Sequence, residues 1–148
     1  VPIRFVVSDL TQHDYKRYGH LEGDSRGQQV WEALAILVAM RAWRDLWCEG
    51  KFTICLQGDN VTALIMALKM QAPAGGVKEV ARELALEFTR ASFVPMIIEH
   101  IPGIANEIAD VLSRRRDPAR SSAWMLPPVL ANLTPTAVPV RNDAYYLL

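Results

Sequence analysis

The chain has 148 residues, about half of them apolar, which suffices for one domain with a buried core. Its 16 basic and 16 acidic side chains cancel, so bulk charge does not draw it to nucleic acid, and any such binding has to be local or assisted by neighbouring domains. With no apolar run of about 18 uncharged residues and no charged-then-apolar leader, we expect neither a membrane span nor a signal peptide.

In chain order, the β-branched and aromatic residues of 3–7 (IRFVV) predict a strand. Residues 8–27 are polar and glycine-bearing and read as a loop. Ser25 and Gln28 are spaced as a capping box for a helix running from Gln29 to Trp47, apolar nearly all round between Val30 and Met40 and therefore central. KFTICLQ, stopping at Gly58, predicts a second strand, and a helix from Val61 to about Met70 follows. APAGG breaks that helix. The next, 77–93, carries an apolar stripe at Val77, Val80, Ala81, Leu84 and Phe88. VPMIIEHI predicts a third strand, Pro102-Gly103 a turn, and Ala105 to about Arg115 a last helix. From Asp117 onward proline is frequent and periodicity is lost, which predicts a tail over 117–148 that either packs on the domain or links to another. The order implies an α/β domain over 1–116 with at least partly parallel strands. Cys48 and Cys55, at a helix end and in a strand, fit free thiols in a reducing cytoplasmic or nuclear compartment.

Three acidic residues are notable for where they fall. Glu32 lies in the first turns of the central helix, Asp59 just past the carboxyl end of a strand, and Asp110 in the last helix. Each has an ordinary explanation: a Glu favoured by the helix dipole, an Asp capping the next helix, a solvated helix position. Taken together they point elsewhere, because open α/β sheets bind ligands outside the carboxyl ends of their strands, where Asp59 must be. Three carboxylates converging there repel unless a cation holds them. Oxygen-only donors without clustered Cys or His suit Mg²⁺ or Mn²⁺ and disfavour zinc.

WEALAILVAMRAW, LQGDNVTALIMAL and IIEHIPGIANEIADVLSR resemble the ribonuclease H domain of retroelement reverse transcriptases, over residues 3 to about 115. The most specific match is the last, with Asn106, Asp110, Leu112, Ser113 and Arg114. The resemblance implies a ribonuclease H-like mixed sheet flanked by helices. It also implies endonucleolytic hydrolysis of the RNA strand of an RNA/DNA hybrid by two bound Mg²⁺ or Mn²⁺ ions, with Glu32, Asp59 and Asp110 as catalytic metal ligands. Asn60, Asn106 and Arg114 would contact nucleic acid, and a polymerase domain in the same polyprotein would be the partner. The family has a fourth carboxylate, an Asp on its first strand, followed by a glycine-rich turn and a second strand. The 22 residues between Asp9 and Glu32 are too few for two more strands of about 5–6 residues with their turns. IRFVVSDLTQHDY instead resembles the family's third strand and the loop beyond it. We therefore expect the first two strands, with their Asp, upstream of Val1, and this chain alone to be inactive.

Other residues carry weaker expectations. His100 lies earlier than the His that the family uses in product release and reads as a structural residue rather than a functional one. Arg114, Arg115, Arg116 and Arg120 suit phosphate contacts or a solvated helix end. Trp31, Trp43 and Trp47 read as packing residues. The alternative function is a catalytically inactive ribonuclease H-like module that binds nucleic acid or a polymerase partner.

Overall fold

The apolar run from Val30 to Met40 forms the centre of the computed structural model, which describes residues 2–47, 54–60, 75–90, 97–102, 106–120 and 122–146, and of 75, 97, 98 and 100 the backbone only. In order, the elements are α1 (Gln12–Tyr18), α2 (Gln28–Ala42), α3 (Arg44–Trp47), β1 (Cys55–Gly58), α4 (Gly75–Arg90), β2 (Ile97–His100) and α5 (Glu107–Ser113). Short 3₁₀ turns occupy Ser25–Gly27, Pro128–Leu130 and Asp143–Tyr145. Among the described residues the chain is thus mixed α and β, rich in helix, with one two-stranded sheet. None of its described helices is long and apolar enough to cross a membrane.

β1 and β2 pair in parallel, Cys55 against Ile97 through Gly58 against His100, and Ile101 N–H continues the pairing to the Gly58 carbonyl at 2.9 Å. A parallel pair requires a crossover, and α4 lies in it. The core is the packing of α2 on α4. Leu37 and Leu84 are fully buried, with Val30, Ala33, Leu34, Val80 and Ala81 around them. Each large side chain so buried contributes about 1.5–3 kcal/mol. The stripe predicted for α4 is therefore the buried one. The uniform apolarity of α2 has a matching cause: one flank meets α4, and Ala35, Ile36, Ala39 and Trp43 on another line a cleft against β1.

Several predicted elements differ. Residues 3–7 join no ladder; the Phe5 carbonyl accepts from Thr136 N–H at 2.8 Å, and Phe5 and Val6 turn their side chains to the core. A β-branched composition favours a strand only where a partner strand is present to complete it. Within the predicted loop 8–27 stands α1, capped reciprocally by Thr11 and Asp14: Asp14 N–H donates to Thr11 Oγ1 at 3.2 Å and Thr11 N–H to Asp14 Oδ2 at 2.8 Å. Its buried residues, Asp14 and Tyr18, are four apart on one face. Gly19 ends it at φ 70°, a left-handed conformation that glycine adopts without strain. The predicted box at Ser25 and Gln28 does not form. Asp24 instead accepts from Arg26 N–H and caps the 3₁₀ turn, after which α2 starts at Gln28 behind Gly27. A Cβ at Gly27 would lie 2.6 Å from Trp31 Nε1, so close approach demands glycine there. The long helix breaks at Trp43 into α2 and α3.

The tail over 117–148 packs on the domain in its described part. Leu130 and Tyr146 are buried, Trp124 Nε1 donates to the Val111 carbonyl at 2.6 Å, and Arg141 reaches Asp14. The helix predicted over 61–70, Cys48, the turn at Gly103 and the His100 side chain lie outside the described residues.

Candidate functional site

Because β1 and β2 are parallel, their carboxyl ends share one edge, and Asp59 and Asn60 follow β1 directly there. α2 delivers Glu32 to the same place, one turn after Gln28, whose Nε2 donates to Glu32 Oε1 at 2.7 Å. A cleft of about 600 Å³ lies between α2 and β1. Its apolar lining includes Ile36, Met40, Trp43, Ile54 and Leu56, and its polar lining includes Glu32, Asp59, Asn60 and Asn106. Trp43 and Trp47 bound it, each anchored through its indole N–H, to Thr136 Oγ1 at 3.3 Å and to the Met40 carbonyl at 2.9 Å. These two tryptophans wall a ligand-sized cleft, a role beyond the packing expected for them. Trp31 does pack, with edge-on contacts to Tyr15, Tyr18 and His20.

Burial in this cleft pushes the Glu32 carboxyl above its ordinary value, and the charge of Asp59 adds to the rise against the opposing Gln28 hydrogen bond. Glu32 therefore lies within electrostatic reach of Asp59 at the sheet edge. Such a pair disfavours double ionisation unless a cation or a shared proton compensates.

Asp110 and Arg114 are not part of the cleft wall, although Asn106 and Ala109 on the same segment are. Both Asp110 oxygens accept from Arg114 Nε, at 2.8 and 2.9 Å, in a pair one helical turn apart. Asn106 stands at the N-cap of α5 without a side-chain capping bond. Arg115 and Arg116 close on Asp9, at 2.5 and 2.9 Å. Three arginines of the basic run are thus answered by two aspartates, and half-exposed pairs of this kind yield readily to solvent or to a competing anion.

Among the described residues, no group of three or more His, Cys, Asp or Glu is placed to hold a metal ion. The donors that do converge, two carboxylates and two carboxamides, are all oxygen donors and suit a hard divalent cation in chemistry. Asp110, paired with Arg114, is not among these donors.

Other polar features were not anticipated. Asp14, fully buried, is held by Arg141 Nε and Nη2 at 3.0 and 2.7 Å. Burial works to raise its carboxyl pKa, but hydrogen bonds from Arg141 and Thr11 outweigh it and hold the group below its ordinary value. Glu83 and Glu87 on α4 are likewise fully buried, under Arg41 and Arg44. Thr11 three residues ahead of Asp14, and two Glu four apart flanking an apolar stripe, were the available signals. Neither names the distant arginine.

Comparison of the chain with protein-family models, with curated proteins and with solved structures returns no significant match.

Proposed function

We propose that this chain is a ribonuclease H-like module of a retroelement reverse transcriptase polyprotein and that, in the full polypeptide, it hydrolyses the RNA strand of RNA/DNA hybrids. The observation that carries the reading is the meeting of Glu32 and Asp59, 27 positions apart, at the edge of a cleft beyond the carboxyl end of a parallel strand pair. The parallel pair with α4 in its crossover supports the reading, because a ribonuclease H-like mixed sheet also holds parallel strands joined through helices. Glu32 and Asp59 would hold the cations, and Asp110 would join them where Arg114 pairs with a nucleic-acid phosphate instead. Mg²⁺ or Mn²⁺, as two ions, supplies water activation and charge stabilisation at the leaving oxygen when bound. Asn60 and Asn106 hydrogen-bond the sugar–phosphate backbone, which fixes a duplex without reading its sequence. The polymerase domain of the same polyprotein is the partner.

A second reading, an inactive module that binds hybrid or the polymerase, is favoured by the engagement of Asp110 with Arg114 and of Asp9 with Arg115 and Arg116. Mg²⁺-dependent cleavage of an RNA/DNA hybrid by an upstream-extended chain and by its Asp59→Asn variant separates the two. The enzyme reading expects activity in the first and a loss of at least about 100-fold in the second, the scale of removing a group that stabilises the transition state electrostatically. No activity in the extended chain, or equal activity in both, defeats it.

A further inference from the structure

On the flank of α2 away from Glu32, a second cleft of about 400 Å³ is lined by Arg41, Arg44, Arg90, Asn142 and Tyr145, among others. Nine residues separate Glu32 from Arg41, which is half a rotation of an α-helix and about 13 Å along its axis, so the two clefts face different ways. Among the described residues the wall of this second cleft contains no carboxylate.

Its arginines are organised from beneath. Arg41 spends its donors inward, Nη2 on Glu83 at 2.6 Å, Nε on Glu87 at 2.9 Å and Nη1 on the Tyr145 carbonyl. Arg44 commits Nε and Nη2 to Glu87, at 3.2 and 2.5 Å, and leaves Nη1 without a partner among the described residues. Arg90 touches Glu87 only at 3.9 Å, and its side chain is 51% exposed. Glu83 and Glu87 are themselves fully buried, so solvent in the cleft meets guanidinium and not carboxylate. Three guanidiniums over two carboxylates leave one unit of positive charge. Asp143, next to Asn142 in sequence, turns to Arg17 and His13 and does not cancel it. Asn142 Oδ1 is spent accepting from Ala144 N–H, so its amide is left as a donor.

We propose that this cleft is an anion site for a phosphate group, held between the outer fork of Arg90 and Nη1 of Arg44, with Asn142 as a further donor. Guanidinium forks match the oxygen spacing of phosphate and bind it in pairs of parallel hydrogen bonds. The buried glutamates orient the forks before any ligand arrives, which lowers the ordering entropy that binding must overcome. Arg41 adds charge without moving. The site stands apart from Glu32 and Asp59 and is independent of the reaction proposed for them.

Calorimetric titration of the 148-residue chain with inorganic phosphate, and separately with a nucleoside 5′-monophosphate, tests the assignment. Saturable 1:1 binding of either is expected, with affinity lowered about tenfold in Arg90→Gln, the scale of one charge-assisted hydrogen bond. Arg26→Gln, an exposed arginine paired with Asp24, is expected to bind as the parent does. Whichever ligand binds more tightly identifies the source of the phosphate. Arg90 has the loosest tie to Glu87, so its variant is expected to fold, and a thermal melt of each variant confirms it. The proposal is overturned by absence of saturable binding in the folded parent, by equal affinity in Arg90→Gln, or by an equal loss in Arg26→Gln.

Discussion

Glu32 is kept ionisable in a half-buried cleft beside another carboxylate, an arrangement that stability alone does not favour. Its carboxyl pKa is raised by burial and by Asp59, so the stability it allows is full below the ordinary carboxylate range and is lost as pH climbs through the raised folded value. Glu32→Gln resembles the protonated form at every pH. Glu32→Gln is therefore expected to be more stable than the parent at pH 7, by about 0.5–1 kcal/mol, as is common when an unfavourably placed charge is removed. The difference should fade as pH drops below the ordinary carboxylate range, where Glu32 is protonated in the folded and the unfolded chain alike. Thermal melts across that range check the sign, and a variant less stable than the parent at pH 7 would contradict it. Asp59 is exposed just beyond β1, which makes Asp59→Asn the cleaner probe of activity.

At the scale of elements, α1 is a seven-residue helix, too short to persist alone, and two devices hold it. One is local, the reciprocal cap between Thr11 and Asp14. The other is the clamp that Arg141 places on Asp14 from 127 positions away. Arg141 also donates to Ser8 Oγ and to the Asp9 carbonyl at 2.6 Å, so one guanidinium ties together the entry to α1 and the returning tail. Arg141→Met leaves Asp14 buried and charged, and a loss of about 3–5 kcal/mol is expected in urea denaturation. Adding Asp14→Asn should recover part of that loss, because Asn keeps an acceptor for Thr11 N–H without the charge. The lowered Asp14 pKa sets the pH dependence: its contribution is complete above the ordinary carboxylate range and disappears as pH falls through the depressed folded value. The parent should therefore lose stability in acid more steeply than the double variant.

Across the whole molecule, the tail completes a core that α2 and α4 begin. Tyr146 enters the same apolar cluster as Leu37 and Leu84, Tyr145 stacks under Arg41 with its carbonyl on that guanidinium, and Thr136 bonds both Phe5 and Trp43. Removing 134–148 strips these contacts at once and leaves Asp14 without Arg141. We expect a loss of at least about 3 kcal/mol together with faster amide exchange in α1 than in α4, read by hydrogen exchange of the truncated chain. An unchanged urea midpoint would show that the tail only lies on the surface.

What the sequence determined by itself lies close to the chain. The period of Val77, Val80, Ala81 and Leu84 and the unbroken apolarity of 30–40 specify two helices and what they bury, because 3.6-residue spacing is a local property. KFTICLQ and VPMIIEHI likewise announce β1 and β2, and Asp59 is legible at a strand's carboxyl end. The sequence also singled out Glu32 and Asp110, but only tertiary structure decided that Glu32 meets Asp59 while Asp110 takes Arg114 as its near partner. It decided too that 3–7 joins no sheet, that α1 exists, and that Arg141, Glu83 and Glu87 are buried. The physical reason is common to all of these. A strand needs a neighbour and a buried charge needs a counter-charge, and for Asp14, Glu83 and Glu87 that partner stands between 42 and 127 positions away, beyond the reach of any local pattern.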